Sequence, residues 1–75
     1  MDFPNIGTEI KKELKKQDRS VAWLAKEINR DESRLEKELN EDELETDAIY
    51  DISIALDKDF FKQLSDFFSR TLNKK

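Results

Sequence analysis

Carboxylates are the side chains most available for proton or metal chemistry in this sequence: Asp and Glu supply 18 of its 75 residues, and it contains no Cys and no His. That inventory excludes a disulfide framework, a thiolate zinc site, a Cys/His nucleophile pair and a histidine acid or base. The carboxylates fall into no D-x-D-x-D-G calcium loop, and no pocket-forming element is evident around a pair of them. An acidic run of this kind is ordinarily a solvated surface. The expectation is a protein with no metal, no cofactor and no enzymatic activity.

The second chemistry available is that of cations with phosphates. Residues 1–30 carry seven basic and five acidic side chains, a net of +2, and residues 52–75 carry five and three, again +2. Residues 31–51 differ, with two basic and ten acidic side chains and a net of -8. A Lys or Arg set against a phosphate gains from counterion release, whereas a carboxylate there adds repulsion. One acidic residue can still accept from a cytosine amino group. Arg34 stands four before Glu38 and Lys37 four before Glu41, so pairing along a helix competes with any external contact by either cation. Trp23 reads as the edge of a core or as an interaction anchor.

The elements that must position these groups are helices. The single Pro and single Gly are Pro4 and Gly7, so beyond residue 8 nothing breaks a helix outright or supplies a tight hairpin turn. Ile6, Ile10 and Leu14 make one stripe of a first helix over about 8–17, with Lys11, Lys12, Lys15 and Lys16 outward. Ser20 is a good N-cap for a short second helix burying Val21, Leu24, Ala25 and Ile28. After a turn of about three residues, Asp31 caps a third helix anchored by Leu35 and Leu39. Residues 40–45 read as a loop with Leu44 inside it. Thr46 or Asp47 caps a fourth helix bearing Ile49, Ile52, Ala55 and Leu56, and Asp59 caps a fifth with Phe60, Leu64, Phe67 and Phe68. The fold class expected is all-α: one five-helix domain over residues 1–75, its core about 6–68, ending in a frayed tail at Asn73, Lys74 and Lys75. No apolar run approaches a membrane span or a signal segment, so a cytoplasmic location and no membrane partner are expected.

Adjacent helical residues point about 100° apart, so Phe60, Phe61, Phe67 and Phe68 cannot all face inward. Phe61 or Phe68 is left exposed, either for a two-fold partner or to be covered by Phe3.

In order along the chain stand IGTEIKKELKKQDRSVAWLAKEI, then SRLEKEL, then LETDAIYDISIALDKDFF. Ile6-Gly7 with Ile10, Ser20-Val21 with Trp23-Leu24-Ala25, the Leu35 and Leu39 pair, Thr46-Asp47, and Ile52-Ser53, Ala55-Leu56 and Phe60-Phe61 resemble the repressor-like helix-turn-helix family of the Cro/C1 (XRE) type, in its short Bacteroidetes form. The resemblance implies a five-helix repressor-like bundle containing a helix-turn-helix, and a DNA-binding transcription regulator with double-stranded DNA as partner. Helix two would brace on the phosphate backbone through Arg19, Ser20, Lys26 and Arg30. Helix three would lie in the major groove, turning Glu32, Ser33, Arg34, Glu36 and Lys37 toward base edges. A homodimer through the C-terminal aromatic helix would match a two-fold operator. The alternative is a helix-turn-helix fold with weak or lost DNA binding, acting through its acidic face on a basic protein partner.

Overall fold

A computed structural model describes residues 3–74, which form five helices and no strand: α1 (Ile6–Lys16), α2 (Val21–Glu27), α3 (Glu32–Glu41), α4 (Thr46–Leu56) and α5 (Phe61–Asn73). Polar side chains start most of them. Ser20 Oγ accepts from the Trp23 N–H (3.0 Å), Asp31 Oδ2 from the Arg34 N–H (2.9 Å), and Asp59 Oδ1 from the N–H groups of Phe61 and Lys62 (3.0 and 3.1 Å). Each satisfies a backbone donor that has no partner inside its helix.

Several expected boundaries shift. The first helix begins at Ile6, because Asn5 Oδ1 accepts from the Thr8 N–H (2.9 Å) and so starts it two residues earlier. Ile28 leaves α2 as its C-cap, which makes the turn to α3 residues 28–31 rather than three residues. Asn40 and Glu41 belong to α3, so the loop begins only at Asp42. Neither Thr46 nor Asp47 is the N-cap of α4: Glu45 holds that position without a side-chain bond, and the Asp47 carboxylate takes the Ala48 N–H instead (2.9 Å). Phe60, expected inside the fifth helix, instead holds the N-cap position of α5, and Asp59 supplies its capping oxygen from one residue further back. Asn73 is the last residue of α5, Lys74 is its C-cap, and Lys75 lies outside the described residues.

The first four helices end alike. Asp18, Asn29, Asp42 and Asp57 each adopt the left-handed conformation, with φ of 57°, 55°, 52° and 53°. The next residue's N–H returns to a carbonyl in the last turn: Arg19 to Leu14, Arg30 to Ala25, Glu43 to Glu38 and Lys58 to Ser53, at 2.8 to 3.0 Å. This is the helix-stop geometry usually supplied by Gly; here Asp and Asn provide it, as the residues that best tolerate that conformation without being Gly.

Leu24 and Ala25 of α2 are buried in one cluster with Leu35 and Leu39 of α3, and Ile28 packs at its margin. Ile6, Ile10 and Leu14 of α1 and Ile49, Ile52 and Leu56 of α4 complete that cluster with Phe60, which is fully buried. Gly7 lets α1 approach α3: a Cβ built there would lie 2.1 Å from the Leu39 carbonyl oxygen. The Gly7 N–H also donates to Asp42 Oδ1 (2.9 Å), so the residue that stops α3 caps the start of α1.

Helix α5 is held differently. None of its residues is buried; Gln63 Nε2 donates to Glu9 Oε1 (3.1 Å), and the Phe3 ring meets Phe67 edge-on at 5.2 Å. Phe3 therefore covers Phe67, while Phe68 stays exposed and Phe61 is half-buried. Among the described residues no helix is long and apolar enough to cross a membrane.

Candidate functional site

With Leu35 and Leu39 buried, the 100° step of a helix fixes where every other α3 side chain lies. Ser33 and Lys37 fall on the crown opposite the core; both are exposed, with no hydrogen-bonding or ionic partner among the described residues. Glu32 and Glu36 lie on one flank, the side of α1. There Lys11 Nζ stands 3.8 Å from Glu36 Oε1 and donates to Asn40 Oδ1. Arg34 and Glu38 lie on the other flank.

That second flank is closed by a clamp. Arg30 Nη1 donates to both oxygens of Glu38 (3.1 and 3.2 Å), and Arg34 Nε lies 3.4 Å from Glu38 Oε2. The side chains of Arg30 and Glu38 are only 18% and 13% exposed, so the pair ties the turn before α3 to the helix itself. Partial burial leaves this pair less screened than a surface ion pair, and the engaged Nη1 holds Arg30 against α3. Of the two pairings that sequence spacing allows, Arg34 with Glu38 forms and Lys37 with Glu41 does not. The five residues expected to face bases thus divide: Ser33 and Lys37 project together, Glu32 and Glu36 sit toward α1, and Arg34 leans on Glu38.

The residues expected to meet phosphates also separate. The Arg19 guanidinium stacks over the Trp23 ring, 4.0 Å from its centroid, which fixes its position while leaving its N–H edge to solvent. Ser20 is exposed, its oxygen engaged by the Trp23 N–H and its hydroxyl hydrogen still available. Lys26 is exposed and without a partner among the described residues. Arg30 belongs to the clamp. Trp23 itself is half-buried against the core, so it serves as core edge and as platform for Arg19 at once.

Two residues not singled out by sequence join this set. Lys11 and Lys15 line a shallow cleft of about 530 Å³ together with Leu14, Asp18, Arg19, Ser20, Val21 and Glu36. Three cations and a helix-capping hydroxyl therefore share one concavity beside α3. The signal was present in the sequence as Lys11, Lys15 and Arg19 at successive intervals of four. Arg19 lies beyond the end of α1, however, and only the turn at Asp18 brings it back to the same side.

On the far side of α1, Glu13 is nearly buried and accepts from Gln17 Nε2 (2.8 Å) and Lys58 Nζ (3.2 Å). The Gln17 amide also donates to the Leu56 carbonyl (2.9 Å), joining α1 to the end of α4. The Gln17 hydrogen bond, followed by the bond and charge of Lys58, holds the Glu13 carboxyl below the ordinary glutamate range, against the opposing push of desolvation. This network is structural and lies apart from the α3 crown. No group of three or more Asp or Glu among the described residues is arranged to hold a metal ion.

Compared with known protein families, curated proteins and solved structures, the chain finds no match in any of the three.

Proposed function

We propose that this chain is a DNA-binding transcription regulator in which α2, the turn at residues 28–31 and α3 act as a helix-turn-helix. The observation that carries the reading is the cleft in which Lys11, Lys15 and Arg19 converge beside the free crown of α3. A phosphate backbone seated along that cleft would meet Lys15, Arg19, the Ser20 hydroxyl and a Lys11 shared with Glu36, three cations against the carboxylates of Asp18 and Glu36, leaving Ser33 and Lys37 to reach base edges. Lys26 extends the backbone contact along α2, while Glu32, on the α1 flank, adds like-charge repulsion to a nearby phosphate. Arg30 acts indirectly, by fixing the angle at which α3 is presented. Such a protein works in the cytoplasm, and a second copy docked through Phe68 and Leu72 of α5, both exposed, would suit a two-fold operator.

The test is selection of bound DNA from a random pool at about 50 mM salt, followed by the salt dependence of the selected site. Lys15→Ala and Arg19→Ala are each expected to lower the slope of log affinity against log salt by about 0.9. Lys37→Ala should relax base preference instead. Retention of no DNA at low salt would remove the proposal. A second reading, an acidic module for a basic protein partner, is favoured by Glu32, Glu41, Glu43, Glu45 and Asp51, exposed and unpaired among the described residues. It predicts that Glu32→Lys abolishes partner binding, where the first reading predicts stronger DNA binding.

A further inference from the structure

The outer face of α4 carries an apolar ridge that no element among the described residues covers. Tyr50 and Ile54, one helical turn apart, are 59% and 66% exposed. A cleft of about 460 Å³ on one side is floored by Ile28 and Ala55, and one of about 330 Å³ on the other runs to Phe61; Tyr50 and Ile54 line both. A ridge between two grooves is the complement of a helix laid across it with anchors three or four residues apart.

Charge decides what that helix must be. Around the ridge stand Glu27, Asp51, Asp57 and Asp59, all exposed, against one cation, Lys58, whose ammonium is held by Glu13. Two copies of this face brought together would oppose acid to acid, and a phosphate backbone would be repelled in the same way. A segment with apolar anchors and Lys or Arg on its flanks satisfies both the ridge and its rim.

We infer that the Tyr50/Ile54 face of α4 is a docking surface for a basic amphipathic helix of a partner protein. The surface is small, so the contact is of the weak, transient class. It does not involve the α3 crown or the cleft of Lys11, Lys15 and Arg19, so DNA and partner could be held together, and the inference stands whether or not DNA is bound.

The experiment uses the full chain, isotope-labelled, titrated with a synthetic amphipathic peptide of Leu on one face and Lys on the other. A twin peptide with Glu for Lys and the Tyr50→Ser/Ile54→Ser double variant are the controls; both replaced side chains are exposed, so the variant keeps its core. The expected result is saturable shifts at Ile28, Tyr50, Ile54, Ala55 and Phe61, with affinity at least about tenfold weaker for the Glu twin and for the variant. Equal affinity for the double variant would mean bulk charge attraction and would overturn the inference. So would shifts centred on Phe68 and Leu72, or a dimer in sedimentation that the double variant abolishes.

Discussion

Asp42 and Asp57 stop their helices in the same left-handed conformation, yet replacing each with Gly should have opposite effects. At Asp57 the left-handed backbone costs about 1 kcal/mol, the low end for an L-residue. Its carboxylate at the C-terminus of α4 opposes the helix dipole by a further 0.3–1 kcal/mol, roughly. Glycine removes both terms and gives back about 0.5–1 kcal/mol through the greater freedom of the unfolded chain. Asp57→Gly is therefore expected to stabilise by about 0.5–1 kcal/mol, which for a domain of this size raises Tm by about 2–8 °C. Asp42→Gly gains the same amount but gives up the bond to the Gly7 N–H at 2.9 Å. That bond caps α1, and such a cap is worth about 1 kcal/mol, with about 0.3–1 kcal/mol more from a negative charge at a helix N-terminus. The net effect is a loss of about 0.5–1 kcal/mol, by the same accounting. Urea and thermal denaturation followed by far-UV circular dichroism would give both values. Equal stabilisation by the two substitutions would show that Asp42 contributes nothing to α1, and destabilisation by Asp57→Gly would refute the left-handed-strain reasoning itself.

Gly7→Ala is expected to cost about 3 kcal/mol or more in the same assay, since its Cβ would meet the α3 backbone rather than a side chain that could turn away. Glu38→Ala should cost about 1–3 kcal/mol by leaving the half-buried Arg30 unpaired, and Arg30→Met in that background should restore part of the loss. The folded-state pKa of Glu13 is depressed, so its contribution is present in full above the unfolded glutamate value, near 4.3, and is lost as pH falls through the lower folded value. Urea midpoints measured from neutral to acidic pH should accordingly fall less steeply for Glu13→Gln than for the parent chain. Phe68→Ser, by removing an exposed aromatic ring, should leave the fold intact and lower any self-association seen by sedimentation, and an unchanged oligomeric state would exclude α5 as the two-fold contact.

Helix number and order were legible in the sequence because each apolar stripe keeps its period and because Ser20, Asp31 and Asp59 stand immediately before a run that needs a cap. Asn5 was not, since Pro4 and Gly7 obscure the start of the first stripe. The four left-handed stops escaped for a related reason: without Gly in those places, Asp18, Asn29, Asp42 and Asp57 look like loop residues or caps of the following helix. Of the site, the resemblance named Glu32, Ser33, Arg34, Glu36 and Lys37 together, and it is the helical step about the buried Leu35 and Leu39 that separates Ser33 and Lys37 as the free crown of α3. The clamp on Glu38 did not, because Arg30 lies eight residues away across a turn whose geometry no local pattern encodes. The cleft depended in the same way on the chain reversing at Asp18.

That dependence on tertiary geometry also changes what the acidic middle segment means. Along the chain, residues 31–51 carry ten carboxylates. In the fold, Asp31, Asp42 and Asp47 accept backbone N–H groups, Glu36 is near Lys11, and Glu38 lies between Arg30 and Arg34. The five others, Glu32, Glu41, Glu43, Glu45 and Asp51, have no such partner among the described residues, and on α3 only Glu32 and Glu41 are among them. Hydrogen-bonded carboxylates keep their charge, but their oxygens are already committed and their field is partly met by a local donor or cation. The unpaired charges of α3 among the described residues are thus Lys37 on the crown and Glu32 and Glu41 beside it. The larger share of the unpaired acid lies past α3, along the chain leading into α4. A count of charge by segment treats all ten alike, and so overstates the repulsion a phosphate backbone would meet at α3.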